Sequence, residues 1–147
     1  MSHRATAIVV GLAERPSAFA ALDAAAGLAR DLADELHVVH AVDLGDYPVD
    51  PDIDDWERRA DAKQATVRAR AAAVLHDYRS IEWTYHARRG APERVLLAVA
   101  HSVDARMIVI GSHPHSFLGY HYSGSVSRAL LRQHEYPILL VSERSST

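Results

Sequence analysis

Short runs of consecutive apolar residues alternate along this chain with longer stretches in which apolar residues recur every three or four positions. Ala7-Ile8-Val9-Val10-Gly11-Leu12 is such a run, rich in β-branched side chains, and predicts a buried strand. From Pro16 to Glu35 the period becomes helical, with Ala18, Leu22, Ala25, Ala29 and Leu32 on one face and Pro16 suited to a first turn. Leu36 to Val42 predicts a second strand. Asp43 to Asp52 is polar, contains Gly45, Pro48 and Pro51, and reads as a loop that ends in an Asp50-Pro51 helix start. A second helix is expected from Asp52 to Tyr78, with Ile53, Trp56, Ala60, Val67, Ala71, Val74 and Tyr78 on one stripe. Ile81 to His86 predicts a third strand, ended by Arg89-Gly90. Pro92 opens a third helix carrying Leu96, Val99 and Val103, and Arg106 to Gly111 predicts a fourth strand. After a loop of Ser, His, Gly and Tyr, Gly124-Ser125 opens a fourth helix with Val126, Leu130 and Leu131. Pro137 to Val141 reads as a fifth strand, and Ser142 to Thr147 as a polar tail.

The order is β-α-β-α-β-α-β-α-β. Continuous apolar strands between amphipathic helices imply an α/β domain with a mostly parallel sheet covered on both faces. At 147 residues, 48% of them apolar, the whole chain, 1–147, is expected to form one domain with a sizeable core. The formal charge of −3 argues against a nucleic-acid binder, which would show a strong basic excess. No apolar run approaches the ~20 residues needed to span a bilayer. There is no cysteine, so disulfides, thiolate metal sites and cysteine catalysis are excluded, in keeping with a cytoplasmic setting.

In sheets of this type ligands bind beyond the carboxyl ends of the strands, where the strand order reverses. The commonest arrangement puts strands 1 and 4 together there, so the relevant loops are Gly11 to Pro16 and Gly111 to Ser123. Each begins with glycine, which admits the close approach of a ligand or of another backbone. Free N–H groups at the Gly124-Ser125 helix start, with a Ser hydroxyl, make an anion site; the plainer reading is a helix cap.

These residues carry a family resemblance. Gly111-Ser112-His113-Pro114, nine residues, then Gly124-Ser125-Val126-Ser127 resembles the signature of the universal stress protein family: Gly, two residues, Gly, nine residues, then Gly-Ser or Gly-Thr. Arg89-Gly90-Ala91-Pro92-Glu93 is similar to the family's turn into its third helix, and Pro137 to Val141 to its last strand. The likeness runs from about residue 6 to residue 142. It implies a five-stranded parallel sheet of order 3-2-1-4-5 with helices on both faces, akin to the adenine nucleotide alpha hydrolases. It also implies a homodimer through strand 5, Ile138 to Val141, and either an ATP-binding or a nucleotide-free branch. By the resemblance, Gly111, Gly124 and Ser125 match positions near the phosphates and ribose, and Ser127 a further hydroxyl position.

Two departures bear on the branch. For the ATP-binding branch the resemblance implies an Asp after strand 1, where Ala13 stands; Glu14 is one residue away, a shift that points it elsewhere. The second Gly of the signature is Pro114, which has no N–H and a fixed φ. Phe117, Tyr120 and Tyr122 make the same loop aromatic, for filling the crevice, for partner contact or for stacking on a base.

His113, His115 and His121 share that loop, yet no carboxylate lies within it to complete a metal site, and they read as solvated. His37 and His40 read as packed or at an edge. No Gly-x-Ser-x-Gly elbow and no Gly-x-x-x-x-Gly-Lys-Ser/Thr loop occurs, so no catalytic residue is assigned. The Arg58-Arg59, Arg68-x-Arg70 and Arg88-Arg89 clusters are interleaved with acidic residues, as on solvated surfaces. Two readings follow. One is a nucleotide-free or weakly binding dimeric stress-response protein with a degenerate crevice that suits a small anion. The other is an ATP- or AMP-binding sensor of the same family. Neither requires a cofactor, nucleic acid or membrane.

Overall fold

Strands buried on both faces need apolar side chains at consecutive positions, and β1 (Ala7–Leu12) supplies them: Ile8, Val9 and Val10 are wholly buried. The computed structural model describes residues 6–42, 56–112 and 125–143. After β1 come α1 (Pro16–Leu32), β2 (Glu35–Val42), α2 (Trp56–Leu75), β3 (Trp83–Arg89), α3 (Pro92–Val103), β4 (Ala105–Ser112), α4 (Ser125–Arg132) and β5 (Ile138–Ser142). The sheet has five strands in the order β3-β2-β1-β4-β5, with every pair parallel.

Side chains alternate between the two faces, so the core divides in two. Ile8, Val10, Leu36, Val38 and Val109 meet α1 through Ala18, Ala21, Leu22, Ala25 and Ala29, and α2 through Val67, Ala71 and Leu75. Val9, Val39, Ile108 and Ile110 meet α3 through Val95, Leu96 and Val99, and α4 through Leu130. Each fully buried large aliphatic contributes roughly 1.5–3 kcal/mol. The alanine face of α1 lets its backbone lie close to the sheet, and α1 packs across β1, β4 and β5.

Both α1 and α3 begin with Pro in the first turn and end on a left-handed residue, Ala33 (φ 55°) and Asp104 (φ 53°). In each case the N–H of that residue bonds back to the last turn, so the chain leaves directly into the next strand. Gly90 joins β3 to α3 at φ +137°, a conformation open to glycine, and its N–H donates to the Val42 carbonyl at 3.1 Å.

Several boundaries and faces differ from those expected. Helix α1 stops at Leu32, and Glu35 opens β2 instead of closing the helix. Leu32 is exposed as the last residue of the helix, which the left-handed turn at Ala33 ends there. Helix α2 ends at Leu75, whose side chain is buried; Tyr78 lies in the following turn. The third strand is Trp83–Arg89, not Ile81 to His86; Ile81 is a buried plug ahead of it. Leu131 is 52% exposed while Leu130 is buried, since neighbours on a helix face different ways. Strand β2 is interior, so His37 and His40 are packed and not at an edge. The Asp43–Asp52 loop with its Asp50-Pro51 start, Ile53, Pro114, the three loop histidines, Phe117, Tyr120, Tyr122 and Gly124 lie outside the described residues.

Candidate functional site

Strands β1 and β4 lie side by side, paired from Ala7 with Ala105 to Val10 with Val109. The chain leaves β1 through α1 toward β2, and leaves β4 through α4 toward β5, so the strand order reverses between them. Their carboxyl ends therefore flank the crevice where this architecture holds ligands.

On the β1 side Leu12 is buried, and Ala13 to Pro16 are exposed in a tight turn closed by the Arg15 N–H donating to the Ala13 carbonyl at 2.8 Å. Arg15 caps α1 in extended conformation without a side-chain hydrogen bond. Ser17, in the first turn, is buried. Ala13 carries no polar atom beyond its backbone. Glu14 is turned to α2, its Oε2 lying 3.4 Å from Lys63 Nζ.

On the β4 side Gly111 lies directly against α1. A Cβ on Gly111 would lie 2.5 Å from the carbonyl carbon and oxygen of Ser17 and 2.8 Å from the Ala18 nitrogen. The approach that demands glycine here is that of another backbone. Gly11 is less tightly enclosed: a Cβ would meet Ile110 and Leu96 side chains at 3.3 and 3.4 Å. Beyond the loop, Ser125 is the first residue of α4 and Ser127 is half-buried in its first turn. Gly111 is thus brought against α1, while Gly124 lies outside the described residues.

A polar cluster that no sequence motif marked joins β2, β3 and α2. His40 Nδ1 lies 3.1 Å from the Tyr85 hydroxyl, and Arg68 stacks on the Tyr85 ring at 5.3 Å. Burial, then the Lys63 charge, holds His40 below the ordinary histidine range, with Glu14 opposing them. The only sequence signal for this cluster was a polar residue at an inward strand position. Among the described residues no group of three or more His, Cys, Asp or Glu comes together to hold a metal, and no helix is long and apolar enough to cross a membrane.

Comparison with known proteins follows the same lines. The sequence model described as the universal stress protein family matches residues 5–142. No curated protein matches the chain. Among solved structures, a protein of the universal stress protein family from Burkholderia pseudomallei is 25% identical, with a TM-score of 0.72 over 96% of this chain and 98% of that one. A universal stress protein in complex with cAMP is 20% identical, with a TM-score of 0.72 over 95% of this chain and 98% of its own. The universal stress protein from Archaeoglobus fulgidus in complex with dAMP is 20% identical, with a TM-score of 0.64 over 96% and 99%.

Proposed function

This chain belongs to the universal stress protein family, and from that premise we propose that it is a dimeric stress-response protein whose adenine-nucleotide crevice is degenerate, binding ATP weakly or not at all. The observation that carries this reading is the missing carboxylate at the end of β1. Ala13 offers none, and the neighbouring Glu14 faces Lys63 on α2. Losing a hydrogen bond to a charged group removes about 1.5–3 kcal/mol, or roughly ten- to a hundredfold in affinity. Pro114 takes one more N–H donor from the loop, for about 1 kcal/mol.

What remains of the site is a frame for a small anion such as phosphate, to which Gly111 at the end of β4 and Ser125 and Ser127 in the first turn of α4 contribute, with Gly124 next to them in sequence. Structural neighbours in complex with cAMP and dAMP make adenine nucleotides the ligand class to test. In this reading the protein is a single cytoplasmic domain that acts by contact and not by catalysis. The contact surface is β5: Leu139 and Leu140 are 38% and 42% exposed on an edge strand, and a second copy paired there would cover them.

Calorimetry with ATP and AMP tests the reading. The wild type is expected to bind neither below about 100 μM, because the two losses together weaken a micromolar site roughly a hundredfold or more. Ala13→Asp combined with Pro114→Gly is expected to gain binding. Submicromolar binding by the wild type would instead establish the ATP- or AMP-sensing reading, which the intact Gly111 to Gly124 spacing favours.

A further inference from the structure

On the face of the sheet covered by α3, two imidazoles from adjacent strands meet. His37 Nδ1 on β2 and His86 Nε2 on β3 are 2.9 Å apart. Their ring centroids are 5.1 Å apart, close to the greatest separation such a contact permits, so the two nitrogens point at each other nearly head-on. That is the geometry of an N–H···N hydrogen bond. A metal held by both rings would require their lone pairs to converge at an angle and the two nitrogens to stand farther apart than this. On its other side, His37 Nε2 is 3.4 Å from Glu35 Oε2.

The carboxylate accepts only, which sets the direction of the chain. His37 holds its proton on Nε2, toward Glu35, and presents the Nδ1 lone pair to β3. His86 then holds its proton on Nε2 and donates it to His37. One bridging proton is required, and two cannot be accommodated. If both rings are protonated, two N–H groups and two positive charges face each other across 2.9 Å.

We propose that Glu35, His37 and His86 form a pH-sensitive clasp that fastens the edge strand β3 to β2 while one proton bridges the rings and releases it when both rings are protonated. The surroundings offer little relief to a dication. His37 is buried, and its partner on β1 in the strand register is the apolar Val9. Helix α3, packed on β2, turns Val95, Leu96, Val99 and Ala100 to the sheet, and none of these titrates. Glu35 is the one carboxylate in the chain of contacts, and it is half-exposed. Arg88, two residues along β3, adds a positive charge. Burial first, then His37 and Arg88, hold His86 below the ordinary histidine range. A base depressed in the folded state takes nothing from stability above its ordinary pKa of about 6.5, where it is neutral folded or unfolded, and costs stability increasingly as pH falls below that value, because the unfolded chain binds the proton first.

Amide hydrogen exchange between pH 7.5 and 5.0, expressed as protection factors for each strand, tests the clasp. In the wild type, protection across β2–β3 is expected to fall about tenfold further than across β1–β4. His86→Gln keeps an N–H donor for His37 Nδ1 but does not titrate, and should remove most of that excess loss while staying folded. Glu35→Gln is a second variant, expected to deepen the loss by withdrawing the carboxylate that supports the charged pair. The proposal is overturned by equal loss in all strands, by an unchanged excess in His86→Gln, or by stoichiometric binding of added Zn²⁺ or Ni²⁺ that His86→Gln abolishes.

Discussion

Replacing Gly111 with alanine separates two roles for one glycine. In an extended strand, Gly→Ala ordinarily stabilises by about 0.4–1 kcal/mol, because it restricts the unfolded chain. A glycine kept only to admit a ligand would show that gain. Here the added Cβ meets the Ser17 carbonyl carbon and oxygen at 2.5 Å and the Ala18 nitrogen at 2.8 Å. Unstrained carbon contacts lie near 3.5–4.0 Å, so the first turn of α1 must move by about 1 Å or more. These atoms are backbone in a turn whose Ser17 is buried, and no rotamer change relieves the clash. Overpacking of this kind costs about 1–3 kcal/mol, which outweighs the entropic gain and leaves a net loss near 1–2 kcal/mol. Urea unfolding followed by far-UV circular dichroism, at fixed protein concentration, should show a lower midpoint with an unchanged slope. Gly27 is the internal control: it lies within α1, and a Cβ added there would have nothing within 4 Å, so Gly27→Ala should gain about 0.5–1 kcal/mol. A Gly111→Ala protein as stable as the wild type, or more so, refutes the packing argument.

Ile108 is wholly buried against α3 and α4, so Ile108→Ala should lose about 2–5 kcal/mol in the same experiment, and a loss below about 0.5 kcal/mol would contradict that placement. Leu140→Lys puts a charge on the exposed edge of β5; sedimentation should then show monomers where the wild type sediments as a dimer, and an undisturbed dimer would move the contact elsewhere. Asp34 is buried and ion-paired with Arg106 at 2.7 Å. Burial opposes its charge, but hydrogen bonds from Arg106 and Thr6 and the Arg106 charge outweigh this and hold Asp34 below its ordinary range. Its contribution is therefore complete above the unfolded pKa of about 3.9 and lost as pH falls through the folded value, so Asp34→Asn should destabilise at pH 7 and the gap to wild type should narrow in acid.

What was legible in the sequence follows from burial. Strands β1, β2 and β4 lie inside the sheet with helices on both faces, and their apolar runs marked them within a residue or two at their starts. Strand β3 is an edge whose Trp-Thr-Tyr-His-Ala-Arg-Arg pattern is largely solvated, so the apolar signal pointed to Ile81, which is buried outside the strand. Gly111 stood out as a residue needing room, but what fills the room is decided by α1, far away in sequence. The His37–His86 contact joins residues 49 apart through a strand pairing that no local pattern encodes. Ala13 was legible as a missing carboxylate, whereas the contact of Glu14 with Lys63 required the packing of α2.

The amino end of the sheet, opposite the crevice, has a kinetic consequence. Asp34 accepts hydrogen bonds from Thr6 and Arg106, and Arg106 also donates to the Thr6 hydroxyl, across separations of 28, 72 and 100 residues. The junction closes only when the starts of β1, β2 and β4 are already adjacent, after the intervening loops have been confined. It is expected to form late in assembly, which φ-values near zero for Asp34 and Arg106 variants would check. Weakening it should leave the rate of folding nearly unchanged and raise the rate of unfolding, so this end of the sheet governs how long the native fold persists once made.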